Sequence, residues 1–175
     1  RINSEITSPS VPYYLSAEKT KAVASLETKV AGLISIDAQA YYRDAHSGIV
    51  NNGTMPPRAN QPTEYIIHWL IQNYSTDVHD VELKATLQPG VDWTGIVKSN
   101  IDSVPLYNDV AKEVTWNISK IIATKGITND PIEAIFQIRA TPNMAELGQY
   151  QPLISESKLQ AVDDFTGLNL LSVDI

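Results

Sequence analysis

The chain has 175 residues, with 20 acidic against 13 basic side chains, a net charge of -7 and no cysteine. That balance argues against nucleic acid or anionic lipid as partners, since both call for basic patches. The missing thiol excludes disulfides, cysteine nucleophiles and thiolate metal sites. The longest apolar runs are about seven residues, whereas a membrane-spanning helix needs about 20, so no direct membrane insertion is expected of this stretch. The chain starts at Arg1 rather than Met, as a piece cut from a longer protein would.

Residues 1–20 hold prolines and serines and read as a linker. From Ala22 to Tyr42 the even positions are small or apolar and the odd ones polar, which predicts one long strand kinked at Gly32, with a helix over 16–30 as the rival. The Gly-, Asn- and Pro-rich stretch 43–65 has room for one short edge strand near Ile49 and Val50. Two strictly alternating strands follow, 64–73 and 79–88. They place Tyr65, Ile67, Trp69 and Ile71, then Val81, Leu83, Ala85 and Leu87, on buried faces, with the opposite faces wet. A short strand begins in GVDWTG. A hairpin turns at Asn108-Asp109 and faces Val114, Trp116 and Ile118 inward. Residues 132–140 form a strand with Phe136 on the buried face. Two last strands, in ISESKLQAVDD and GLNLLSVDI, are joined by the turn DDFTG. About nine strands with turns every 8–12 residues predict an all-β fold, an immunoglobulin-like Greek-key sandwich with an extended N-terminal arm. No repeat is read within the chain; it reads as one full module plus the arm.

The order of motifs is YxIxWxIxN, VxxVxLxATLxPGVxWTG, VTWNI, FQIRATP and xxDxFTGxxL. It runs through Trp69, Asn73, Pro89, Gly90, Trp93, Gly95, Trp116, Phe136, Pro142, Asp164, Phe165 and Gly167. It resembles the tandem repeat domains of unknown function on large bacterial surface proteins, of the kind carried by candidate phyla. The resemblance covers about residues 33–175. It implies that 1–32 is a connector from a preceding module, that the module is structural and extracellular, at the cell surface, and that its partners are neighbouring modules or other surface proteins. It supplies no catalytic residues.

Candidate sites are few. Asp163 and Asp164 before a Thr-Gly turn, with Asp77 and Asp80 in another turn and Asp44 beyond them, are oxygen donors of the type calcium takes. They lack the DxDxDG spacing, and Asp is also a turn former. Trp93, next to a turn, and Tyr107 are the candidate ligand-binding aromatics; the rival reading makes Trp93 a core anchor beside Trp69 and Trp116. His46, His68 and His79 fit no metal or triad spacing and read as solvated or half-packed side chains. No nucleophile–base constellation is legible, so no enzyme activity is expected. Asn52, Asn73 and Asn117 head N-x-[ST] triplets, of which Asn52 reads as the most exposed. A Lys–Asn isopeptide crosslink with Glu156 as its acid has no legible pairing.

Overall fold

A computed structural model describes residues 1–7 and 21–175. Of residues 1–20, expected as irregular linker, 2–7 form a strand instead and 8–20 lie outside the described residues. The chain divides into two units, 1–30 and 31–175.

In the first unit β1 (Ile2–Thr7) pairs antiparallel with β2 (Lys21–Leu26) in the register Ile2↔Leu26 to Thr7↔Lys21. Partners across an antiparallel pair point to the same side. Ile2, Ile6, Ala22, Ala24 and Leu26 therefore share one face, and all are exposed. The single strand expected from Ala22 to Tyr42 is instead two strands in different units. Residues 27–33 between them carry no strand, and Gly32 lies where a side chain would collide: a Cβ there would stand 2.1 Å from Thr76 Oγ1 and 3.0 Å from an Asp163 carboxylate oxygen.

The second unit is an immunoglobulin-like β-sandwich. Its strands are β3 (Ile34–Tyr41), β4 (Thr63–Asn73), β5 (Val78–Thr86), β6 (Val91–Ser99), β7 (Leu106–Asn108), β8 (Glu113–Ile121), β9 (Ile132–Ala140), β10 (Ser157–Asp163) and β11 (Asn169–Asp174). One sheet runs β3-β4-β9-β6 and the other β11-β10-β5-β8-β7. The links β4–β5, β5–β6, β6–β7, β8–β9 and β9–β10 each cross between sheets, as Greek-key chains do. Residues 43–62 contain no strand, so the expected edge strand near Ile49 and Val50 is replaced by irregular chain.

The inner faces follow the period-two pattern. Ile67, Trp69 and Ile71 on β4 and Ala134, Phe136 and Ile138 on β9 meet Val81, Leu83 and Ala85 on β5 and Val114 and Trp116 on β8, all buried. Trp69 and Phe136 meet edge to face with centroids 4.9 Å apart, a favoured aromatic geometry. Each buried indole N–H finds an oxygen: Trp69 donates to Ser157 Oγ across the sheets at 3.0 Å, and Trp116 to Ser103 Oγ at 2.9 Å. Tyr65, expected inward, is only partly buried.

The outer face of β4 departs from expectation. Glu64, Ile66 and His68 are buried as fully as their inward neighbours. The irregular segment 42–62 lies over this side of the sheet. Its closeness is recorded at Gly53, where a Cβ would stand 2.6 Å from the backbone of Thr63.

Candidate functional site

The segment over β4 and β9 seals in a polar cluster that local sequence does not announce. His68 on β4 stands opposite Ile135 on β9, two residues from Glu133. Its Nδ1 lies 2.7 Å from Glu133 Oε1 and its Nε2 lies 2.8 Å from Asp44 Oδ2. The three side chains are 6%, 17% and 10% exposed respectively, so water contributes little. The expected solvated or half-packed His68 is instead a buried ring held between two carboxyl groups.

Asp44 reaches this place by local turn chemistry. Its carboxylate accepts from the amides of His46 at 2.9 Å and Ser47 at 3.1 Å, the self-closing turn that Asp favours. Burial by itself would raise the Asp44 pKa. Hydrogen bonds from Ser47, His68 and the two amides outweigh it and hold the carboxyl at about 2. Lys98 donates to the Ser47 carbonyl, tying the same turn to β6. His46 is exposed and stands 3.5 Å from the second oxygen of Glu133. The edge of Tyr41 closes the near side of the imidazole, with centroids 5.1 Å apart.

A second set of bonds extends the seal. Glu64 accepts from Arg139 Nη2 at 2.9 Å and from the Asn52 amide and side chain at 2.9 and 2.8 Å. Burial, the largest influence, would raise the Glu64 pKa, but these donors leave it lowered. Gln137 donates to Asn51 Oδ1 at 2.8 Å. Every carboxylate here already faces a protein donor, so the arrangement ties loop to sheet and leaves no free base aimed at a cleft.

The candidate calcium donors are dispersed among other partners. Asp163 is fully buried. Burial, the largest influence, would raise its pKa; amide donors at Gly32, Phe165 and Thr166 and the Thr76 hydroxyl bring it down to about 2. It thereby anchors the start of β3 to the β10–β11 turn. Asp77 and Asp164 share Lys120, at 2.8 and 3.3 Å. Asp80 is exposed, 3.8 Å from His79. No group of three His, Asp or Glu side chains with metal-holding geometry occurs among the described residues.

Trp93 and Tyr107 are brought together, each half-buried. Their rings stack with centroids 5.2 Å apart and planes 13° apart, and Trp93 also meets Phe136 at 5.3 Å. They join β6 of one sheet to β7 of the other, and Trp93 is packed on the core with part of its surface outside. Asn73 is wholly buried and donates to backbone carbonyls, which removes that triplet as a glycan acceptor. Glu156 is half exposed and faces Lys158 at 3.6 Å.

Sequence reasoning also missed a groove of about 590 Å³ lined by Met55, Pro57, Tyr65, Tyr150, Leu153 and Ile175. It is assembled from segments far apart in the chain, so no local pattern marks it.

No protein-family model and no curated protein matches the sequence. Among solved structures, the chain is similar to a Corynebacterium diphtheriae protein described as membrane anchored, with TM-score 0.46, 11% identity, and 93% of this chain covered against 39% of that one. It is also similar to BcpA, the major pilin subunit of Bacillus cereus, in two structures with TM-scores 0.42 and 0.40, each at 14% identity with 99% of this chain covered. The chain spans less than half the length of these neighbours, 39% of the first and 48% of the second. The overlap is loose, and what those proteins do stays with them.

Proposed function

We propose that this chain is a structural spacer module of a bacterial cell-surface protein, extracellular in location, acting through rigidity and contacts with neighbouring modules. The observation that carries the reading is the His68 cluster. The charged groups collected on the covered face are bonded to one another, which fixes a loop on a sheet and leaves no nucleophile–base pair open to a substrate. The motif resemblance to surface repeat domains supports the same reading. The whole 175-residue chain is expected to bind no glycan on a broad array and to turn over no substrate in a hydrolase and transferase screen. Turnover lost on replacing His68 or Asp44, with the fold intact, would sink the reading.

A second reading, a carbohydrate- or protein-binding surface module, is favoured by one observation. The groove beside Tyr65 and the 92%-exposed Tyr150 offers an apolar floor with an aromatic rim. Saturable binding that disappears in Tyr150→Ala or Tyr65→Ala would establish it in place of the first.

A further inference from the structure

β3 and β11 carry nearly the same five residues. The run leading into β3 is Leu33-Ile34-Ser35-Ile36-Asp37, and β11 contains Leu170-Leu171-Ser172-Val173-Asp174. From Leu33 to Leu170 is 137 positions. A second match precedes each run at nearly the same offset. Ser16, Lys19, Ala22 and Val23 share the pattern S-x-x-K-x-x-A-V with Ser155, Lys158, Ala161 and Val162, from Ser16 to Ser155 being 139 positions. A short internal repeat is thus present where none was read. In the sequence it is confined to two stretches, 16–37 and 155–174.

The two copies of the five-residue run bury opposite faces. In β3, Ile34 and Ile36 lie in the core at 1% and 7% exposure, while Leu33 is 58% exposed and Asp37 is exposed. In β11 the pattern inverts. Leu170 packs against the core, and Ser172 and Asp174 turn toward β3, where they accept from the Ile36 and Ala38 amides at 3.2 and 2.6 Å. Leu171 and Val173, the counterparts of Ile34 and Ile36, are 71% and 53% exposed. A strand that alternates in this way has two usable faces. β11 is also the last strand of its sheet, with one edge unpaired by any strand among the described residues.

We propose that this strand is shared between consecutive copies of the module. Its Leu170, Ser172 and Asp174 face closes one copy. Its Leu171 and Val173 face opens the next, covered by that copy's Trp69-bearing core as Ile34 and Ile36 are covered here. The partner of this surface is therefore a second copy of the same module. Reciprocally, the Leu33, Ser35 and Asp37 face of β3 is the surface a preceding copy closes upon. This deepens the spacer reading and rests on it: a strand common to two modules leaves no free hinge between them.

The test is a chain of residues 1–175 followed directly by residues 39–175, so that Ile175 takes the place of Ala38. The protein has no cysteine, so Val173→Cys puts a single thiol reporter in both the 175-residue chain and the fused one. The thiol is expected to react freely in the single chain and at least about a hundredfold more slowly in the fused chain, where only local opening exposes it. The second copy should also melt cooperatively. Equal labelling rates, or a second copy that does not fold, would overturn the shared strand and leave the spacer reading standing. Ligand capture in the array experiment would overturn the spacer reading whatever the labelling shows.

Discussion

At the scale of single residues the covered face decides the energetics. His68 is surrounded by Asp44 and Glu133. Removing it leaves two buried carboxyl groups without their imidazole partner, and each buried group left unsatisfied costs about 1–3 kcal/mol. His68→Leu is expected to lower the unfolding free energy by that order in urea titration. Adding Asp44→Leu and Glu133→Leu should recover much of the loss, because the unsatisfied polar groups go with them. A single variant as stable as the parent would show that the cluster is solvated. Acid tests the same carboxylates. Asp44 and Asp163 are held at about 2 in the folded chain, against about 3.9 when unfolded. The unfolded state therefore takes up protons first as pH falls. The stability from both groups is fully present above about pH 4 and is lost progressively as pH falls through about 2. Melting temperature should drop steeply over that interval, and Asp163→Asn should flatten the drop while lowering the plateau. A parent whose melting temperature is level across the interval would contradict the assignment.

At the scale of elements, the side of the sandwich where β3 meets β11 is joined through side chains. β3 pairs with β4 on one edge, and two amides of its other edge are taken by Ser172 and Asp174. A bond to a carboxylate is worth more than one to a hydroxyl. Asp174→Ala should therefore cost about 1.5–3 kcal/mol and Ser172→Ala about 1 kcal/mol. The matching signature is local: faster hydrogen exchange at the Ala38 amide in the first variant and at the Ile36 amide in the second. Unchanged exchange at both would mean that the edge is held by other contacts. The opposite side is joined by the Trp93–Tyr107 stack instead, so the two open sides of the sandwich use different chemistry.

At the scale of the whole molecule, the acidic turns are expected to work without metal. The Asp163 carboxylate already faces four donors, and Asp77 and Asp164 share the Lys120 ammonium. Thermal unfolding should be the same in calcium and in chelator. A rise of several degrees with calcium would overturn this and make Asp77, Asp163 and Asp164 the first residues to replace. Much of this architecture was legible in the amino-acid order. Alternation about Trp69, Leu83 and Phe136 identified the inner faces, because period-two burial is a local property of a strand. Turn residues such as Asn108 and Asp163 marked where strands end, since their side chains bond their own nearby amides. The outer face of β4 was not legible. Whether His68 meets water depends on Asp44, 24 positions earlier, and Glu133, 65 positions later, and no local pattern encodes what a returning loop will cover. The doubled run at Leu33 and Leu170 stands in the sequence for anyone to read. Only the tertiary structure decided that one copy buries its isoleucines while the other buries its serine and aspartate, because the face a strand hides is set by the strands packed against it.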